Sequence, residues 1–228
     1  MTDADVLVLA HGAFHGPWCW QPTMQVLESK GLRCVAVDLN RGGLQADRDA
    51  LQATVNALRR EEGCRVHAIG HSLGCASVQA LDASTLASAM LLAGSVGASE
   101  GMPHKSEMLV GGFLSKLIPQ DDGRSFVSRA DAMGMFYGGC KPEDAEFALD
   151  RLRPTFVYGS EPSDPTFWEA LPVTYIACKR DQAVAPEYQL KIVDQMKYSV
   201  VLDSDHSPML SQPEILAEAI QEAMAHAD

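Results

Sequence analysis

Five residues, Gly70-His71-Ser72-Leu73-Gly74, constrain this chain more than any other stretch. They join an apolar strand-like run, Arg65-Val66-His67-Ala68-Ile69, to a helix-like one, Cys75-Ala76-Ser77-Val78-Gln79-Ala80-Leu81. A strand that turns into a helix within so few residues forces its central residue into a strained backbone conformation. Glycines two places before and after Ser72 remove the Cβ atoms that would collide across such a turn. The spacing predicts a serine hydroxyl raised above the sheet, with the amide of Leu73 aimed at the same place. A chance loop is the alternative, since Gly and Ser are common loop residues; the strand before and the helix after weigh against it.

The rest of the chain supplies strands and helices in alternation. Asp5 to Ala10 reads as a strand running into His11-Gly12-Ala13-Phe14-His15-Gly16-Pro17-Trp18, followed by a helix to about Lys30 that Gly31 stops. Arg33 to Val37 is a second strand, and Asp47 to Glu62 has helical spacing with Leu51, Val55 and Leu58 on one face. After the Ser72 turn come a fourth strand, Ala87 to Ala93, and a long stretch from about 97 to 168 without steady alternation. Alternation resumes with a strand Val173–Cys178, a helix Pro186–Met196, a strand Tyr198–Leu202 and a helix Pro213–Ala225, for which Ser211 is the expected cap. Six strands, mostly each followed by a helix, predict an α/β fold with a mostly parallel sheet covered on both faces. At 228 residues a single domain over 1–228 is expected, with the irregular middle folded over the strand ends as an insertion. No G-x-G-x-x-G follows a strand, so a dinucleotide site is not expected.

A serine is a weak nucleophile at neutral pH and needs a base, itself oriented by an acid. Asp181 lies just beyond the Val173–Cys178 strand, and His206 just beyond Tyr198–Leu202, in the chain order Ser, Asp, His that this architecture requires. Asp205 adjoins His206, but a sequence neighbour rarely folds back onto the same imidazole; Asp203 reads as a turn residue. Both remain alternatives to Asp181. The oxyanion formed in acyl transfer needs two donors: the amide of Leu73, and that of Ala13 in the loop after the first strand. His11, His15, His67 and His71 read as structural or site-lining, with His11 or His15 able to brace the oxyanion loop. Phe14, Tyr137 and Trp168 are candidates for the pocket wall, each read first as a core residue.

Bulk properties exclude other classes. A net charge of −12 argues against nucleic acid and against an anionic membrane surface. No apolar run is long enough to cross a bilayer, and the first strand begins too early to leave room for a signal peptide, so a cytoplasmic setting is expected. The six cysteines then read as buried thiols. Cys64, His67, His71 and Cys75 have a metal-like spacing, but they straddle a strand and a turn and should diverge; no metal is expected.

Together these residues resemble the α/β-hydrolase superfamily, and more narrowly the plant methylesterase and hydroxynitrile lyase group. The narrower likeness rests on His11 to Trp20, on Gly70 to Gly74 and on Asp205-His206-Ser207-Pro208-Met209-Leu210. The resemblance implies an α/β-hydrolase core lacking the first two strands of the larger fold, a small helical cap at about 97–168, and a site without cofactor. The lyases of the group are similar in carrying threonine at the position of Gly12 and lysine at that of Ser207, and this chain has neither. The implied activity is a serine carboxylesterase acting on small, largely apolar esters. A lyase-like or thioesterase reaction on the same residues, or a ligand-sensing role with little turnover, are the alternatives. A homodimer is left open.

Overall fold

Val6-Leu7-Val8-Leu9-Ala10 is buried at every position, and alternate residues go to different places. Leu7 and Leu9 join one apolar cluster, while Val6, Val8 and Ala10 join another. Successive strand side chains point to opposite faces, so this run demands a sheet covered on both sides. The computed structural model, which describes residues 4–61, 63–97, 101–158 and 167–227, has that form.

The main sheet contains β1 (Ala4–Ala10), β2 (Arg33–Val37), β3 (Cys64–His71) and β4 (Ser88–Leu92). A hairpin follows, β5 (Leu117–Pro119) and β6 (Ser125–Val127), and the sheet is completed by β7 (Val173–Cys178) and β8 (Tyr198–Leu202). The order is β2-β1-β3-β4-β7-β8, and every pairing in it is parallel. Helices α1 (Gln21–Ser29), α2 (Leu44–Arg59) and α3 (Gly74–Gln79) connect the first four strands. Between β4 and β7 lie α4 (Arg129–Phe136), α5 (Pro142–Leu149) and α6 (Phe167–Ala170), and after β7 come α7 (Pro186–Val193), α8 (Pro208–Ser211) and α9 (Pro213–Met224).

Leu27 of α1 and Leu216 and Ile220 of α9 cover one face of the sheet. Leu51, Val55 and Leu58 of α2, Val78 of α3 and Ile192 of α7 cover the other, so the α2 stripe read from the sequence is the buried one. No helix among the described residues is long and apolar enough to cross a membrane.

One local expectation is corrected. Ser211 does not cap α9: the N-cap is Gln212, and the Ser211 hydroxyl donates to Asp205 Oδ1 at 2.7 Å. Ser211 is the last residue of α8, one place before the α9 cap, and no α9 amide donates to its oxygen. The described residues between β4 and β7 carry the expected helices and, in addition, a hairpin; these elements are short, and α4 has almost no apolar stripe that sequence periodicity could reveal.

Candidate active site

Ser72 follows β3 and precedes α3, and its φ is +52°, in the left-handed region. For a residue other than glycine that conformation costs about 1–3 kcal/mol and persists only where its surroundings enforce it. They do so here. The Ser72 amide donates to Leu92 O at 2.9 Å, pinning the turn to β4. A Cβ on Gly70 would stand 2.5 Å from Gly74 O, and one on Gly74 would stand 2.6 Å from Ala10 O, so no side chain fits at either end.

The loop after β1 lies directly against this turn: a Cβ on Gly12 would be 3.0 Å from Ser72 Cβ. Among the described residues, the amides of Ala13 and Leu73 donate to no protein acceptor. Both residues are half-buried, one in the loop and one in the turn that meet at Gly12, so their amides are free to donate to an external oxygen.

Asp181 and His206 sit at the carboxyl ends of β7 and β8, and the structure brings them together. His206 Nδ1 donates to Asp181 Oδ2 at 2.7 Å, with both side chains buried. Asp181 is further held by the amides of Ala183 and Val184 on Oδ1, at 2.7 and 2.9 Å, and by Gln189 Nε2 on Oδ2 at 2.9 Å. Four donors keep this carboxylate an acceptor and fix the proton of His206 on Nδ1, which leaves the lone pair on Nε2.

The two rival carboxylates are engaged elsewhere. Asp205 accepts from Gly139 N at 2.8 Å and from Ser211. Asp203 faces solvent beside Arg180.

Histidines crowd the site without adding charge to it. His71 donates Nε2–H to His206 O at 2.8 Å, and its ring centroid is 4.6 Å from that of His206. Burial holds its pKa well below the ordinary histidine value, with nearby His206 and His15 acting in the same direction. Burial likewise pushes His15 down to about 3. Both are neutral at physiological pH, so among the described residues an imidazolium forming at His206 faces only the Asp181 carboxylate as a charged neighbour within hydrogen-bond reach.

Of the three residues proposed for the pocket wall, Phe14 and Tyr137 are placed near His15 and His206, and Trp168 is placed elsewhere. Phe14 is buried at φ +66° with its ring 6.2 Å from that of Phe136, whose own centroid lies 5.6 Å from His206. The Tyr137 hydroxyl reaches His15 Nε2 at 2.8 Å. Trp168 instead lines a surface cavity of about 600 Å³ with Val173 and Tyr198, the first residues of β7 and β8. It is therefore at the amino ends of the strands, roughly 17 Å of strand away from the edge that carries Asp181. A tryptophan adjoining a core strand packs at whichever end the chain enters, and here it enters from the wrong side.

Arg153 is not visible in the sequence as a site residue, yet it ties three segments together. Its guanidinium grips the Asp38 carboxylate and donates to Leu39 O and His15 O, while its own amide donates to Phe14 O at 2.9 Å. The Cys64, His67, His71 and Cys75 set diverges: His67 contacts Asp5 and Ser88, His71 turns to His206, and the Cys75 thiol donates to Gly70 O. No group of three or more His, Cys, Asp or Glu among the described residues is placed to hold a metal ion.

With this geometry in place, the chain matches the alpha/beta hydrolase family over residues 7–219. It belongs to that family. This alpha/beta hydrolase is similar to Methylesterase 2 of Arabidopsis thaliana, at 27% identity over 92% of each chain. In structure it is similar to a methylesterase, MES16, from Arabidopsis (TM-score 0.78, 24% identity, 97% of this chain and 99% of that one). It is similar also to tomato Methylketone Synthase I (TM-score 0.82, 19% identity, 99% of each). Both solved structures speak for the hydrolase fold alone.

Proposed function

We propose that this alpha/beta hydrolase is a serine carboxylesterase for small, largely apolar esters, acting through Ser72, His206 and Asp181. The observation that carries the reading is the pair of unspent amides, Ala13 and Leu73, beside a serine held at φ +52°. Its similarity to methylesterases supports an ester as the substrate.

His206 Nε2 takes the proton of the Ser72 hydroxyl as Oγ attacks the ester carbonyl. The carbonyl oxygen gains the charge and is received by the Ala13 and Leu73 amides. Asp181 keeps the imidazole in the right tautomer and offsets the positive charge it acquires. Collapse of the tetrahedral intermediate breaks the bond to the alcohol, which leaves with the proton from His206. Water then attacks the acyl-enzyme, giving up one proton to His206; the acid departs and Ser72 regains its hydrogen.

Ser72→Ala, assayed on short p-nitrophenyl esters, tests the reading. Loss of turnover by about 10³-fold or more is expected; wild-type turnover that persists in the variant overturns it. Acyl-thioesters and cyanohydrins run alongside separate ester hydrolysis from the thioesterase and lyase alternatives.

A further inference from the structure

The two peptide groups on either side of the Ala13 Cα are each held by a histidine. His11 Nδ1 bonds Gly12 O at 2.9 Å. That carbonyl shares one rigid peptide plane with the Ala13 N–H, so gripping the oxygen aims the hydrogen. His15 Nδ1 bonds Ala13 O at 2.7 Å, in the next plane, whose own N–H donates from Phe14 to Thr155 Oγ1 at 2.8 Å.

Carbonyl oxygens only accept, so each Nδ1 must carry the proton and each Nε2 must be the acceptor. The partners agree: His11 Nε2 receives the Leu39 amide at 3.0 Å, and His15 Nε2 receives the Tyr137 hydroxyl at 2.8 Å. His15 and Tyr137 are both buried. Its depressed pKa keeps His15 in the neutral form that this pattern needs.

We propose that Tyr137 and His15 are positioning residues for the oxyanion loop: the chain Tyr137 O–H to His15 Nε2, then His15 Nδ1–H to Ala13 O, fixes the peptide that follows the Ala13 donor. The inference rests on the esterase reading of Ser72. Its distinctive feature is the origin of Tyr137, which directly follows α4 in the segment between β4 and β7. That segment would cover the substrate and, through one hydroxyl, also hold the peptide adjoining the donor that receives the charge. A donor misaimed by a fraction of an ångström loses most of its catalytic benefit. The turn bearing Tyr137 has an independent anchor, Gly139 N to Asp205 Oδ2 at 2.8 Å, so deleting the hydroxyl leaves the turn in place.

Tyr137→Phe, His15→Asn and their double variant test this on p-nitrophenyl butyrate. Asparagine keeps a donor where Nδ1 stood and loses the acceptor for Tyr137. Each single variant is expected to lower kcat about tenfold with KM within twofold, and to weaken a trifluoromethyl ketone inhibitor in proportion. The double variant should be no worse than either single, because the two residues act as one chain. Unchanged kcat, an effect confined to KM, or additive losses overturn the proposal. Nitrogen-15 NMR of wild-type His15 provides a readout that needs no turnover: Nδ1 protonated and Nε2 bare from pH 5.5 to 8 is expected, and the opposite tautomer overturns the proposal. Ser72→Ala in the same assays reports separately on the esterase reading, so the two ideas fail in different experiments.

Discussion

The imidazole of His71 donates its Nε2–H to the main-chain oxygen of His206 across 2.8 Å. The residue before the proposed nucleophile thus holds the backbone of the proposed base, and a contact 135 positions apart in sequence joins the two ends of the site. Because His71 spends its proton there, its buried Nδ1 has no partner among the described residues, and only a neutral ring tolerates that.

Acid should therefore destabilise this protein early. Unfolded histidine titrates near 6.5, whereas His15 is pushed down to about 3 and His71 lies well below its ordinary value. Between those limits the unfolded chain binds protons that the folded chain refuses, so stability falls as pH falls below about 6.5. The slope approaches about 1.4 kcal/mol per pH unit for each such histidine. Urea unfolding at pH 7.5, 6.5, 5.5 and 4.5 measures it. His15→Asn should show a slope shallower by about one proton, and equal slopes would exclude His15 as a source.

Asp181→Asn should leave the fold intact and abolish most turnover. The two amides on Oδ1 will orient the new side chain with its oxygen toward them, which presents the NH₂ group to His206 Nδ1. The imidazole must then carry its proton on Nε2, where it cannot act as a base. A drop in kcat of about 10⁴-fold is expected, with a stability loss of about 1–3 kcal/mol because Gln189 Nε2 then faces the same NH₂ group. An activity within tenfold of wild type would move the acid's role to another carboxylate.

Two glycine replacements should have opposite signs. In Gly74→Ala the added carbon meets backbone oxygens of Ala10 and His11 at 2.6 and 2.7 Å, which cannot swing away, and a loss of about 3 kcal/mol is expected. Gly134 is inside α4 with nothing within 4 Å of a built Cβ, so Gly134→Ala should gain about 0.5–1 kcal/mol. Urea midpoints of the two variants, read side by side, check both.

Arg153→Lys should be costly despite keeping the charge. A single ammonium cannot serve Asp38, Leu39 O and His15 O together as the guanidinium fork does. About 1–2 kcal/mol of stability should be lost. A variant indistinguishable from wild type in urea would show that the backbone bonds around Phe14 suffice.

What sequence reveals and what it hides divides by distance along the chain. Ser72, Asp181 and His206 each follow directly on a strand whose own apolar residues announce it, so their placement is a local inference. The six sheet strands are legible for the same reason. Tyr137 meeting His15, Arg153 meeting Asp38 and Gln189 meeting Asp181 are not, because no spacing rule connects them. Trp168 shows the converse failure: a large aromatic in the segment between β4 and β7 says nothing about which end of the sheet it will reach. Ser211 fails because a short helix, α8, runs on to it and shifts the cap of α9 to Gln212.

The parallel pairing of β4 with β7, Ala89 opposite Val173 and Leu92 opposite Ile176, means that the chain leaves the sheet and rejoins it on the adjacent strand. The segment departs from the carboxyl end of β4 and returns at the amino end of β7, so its two attachment points are separated by the run of the strands as well as by one strand spacing of about 5 Å, a gap set by the sheet and not by the length of the segment. Closing a longer loop over a fixed gap costs little more than closing a short one. The intervening segment is thus an exchangeable cassette. Substrate preference could be rewritten there by grafting, provided that a tyrosine is delivered to His15 and an arginine to Asp38.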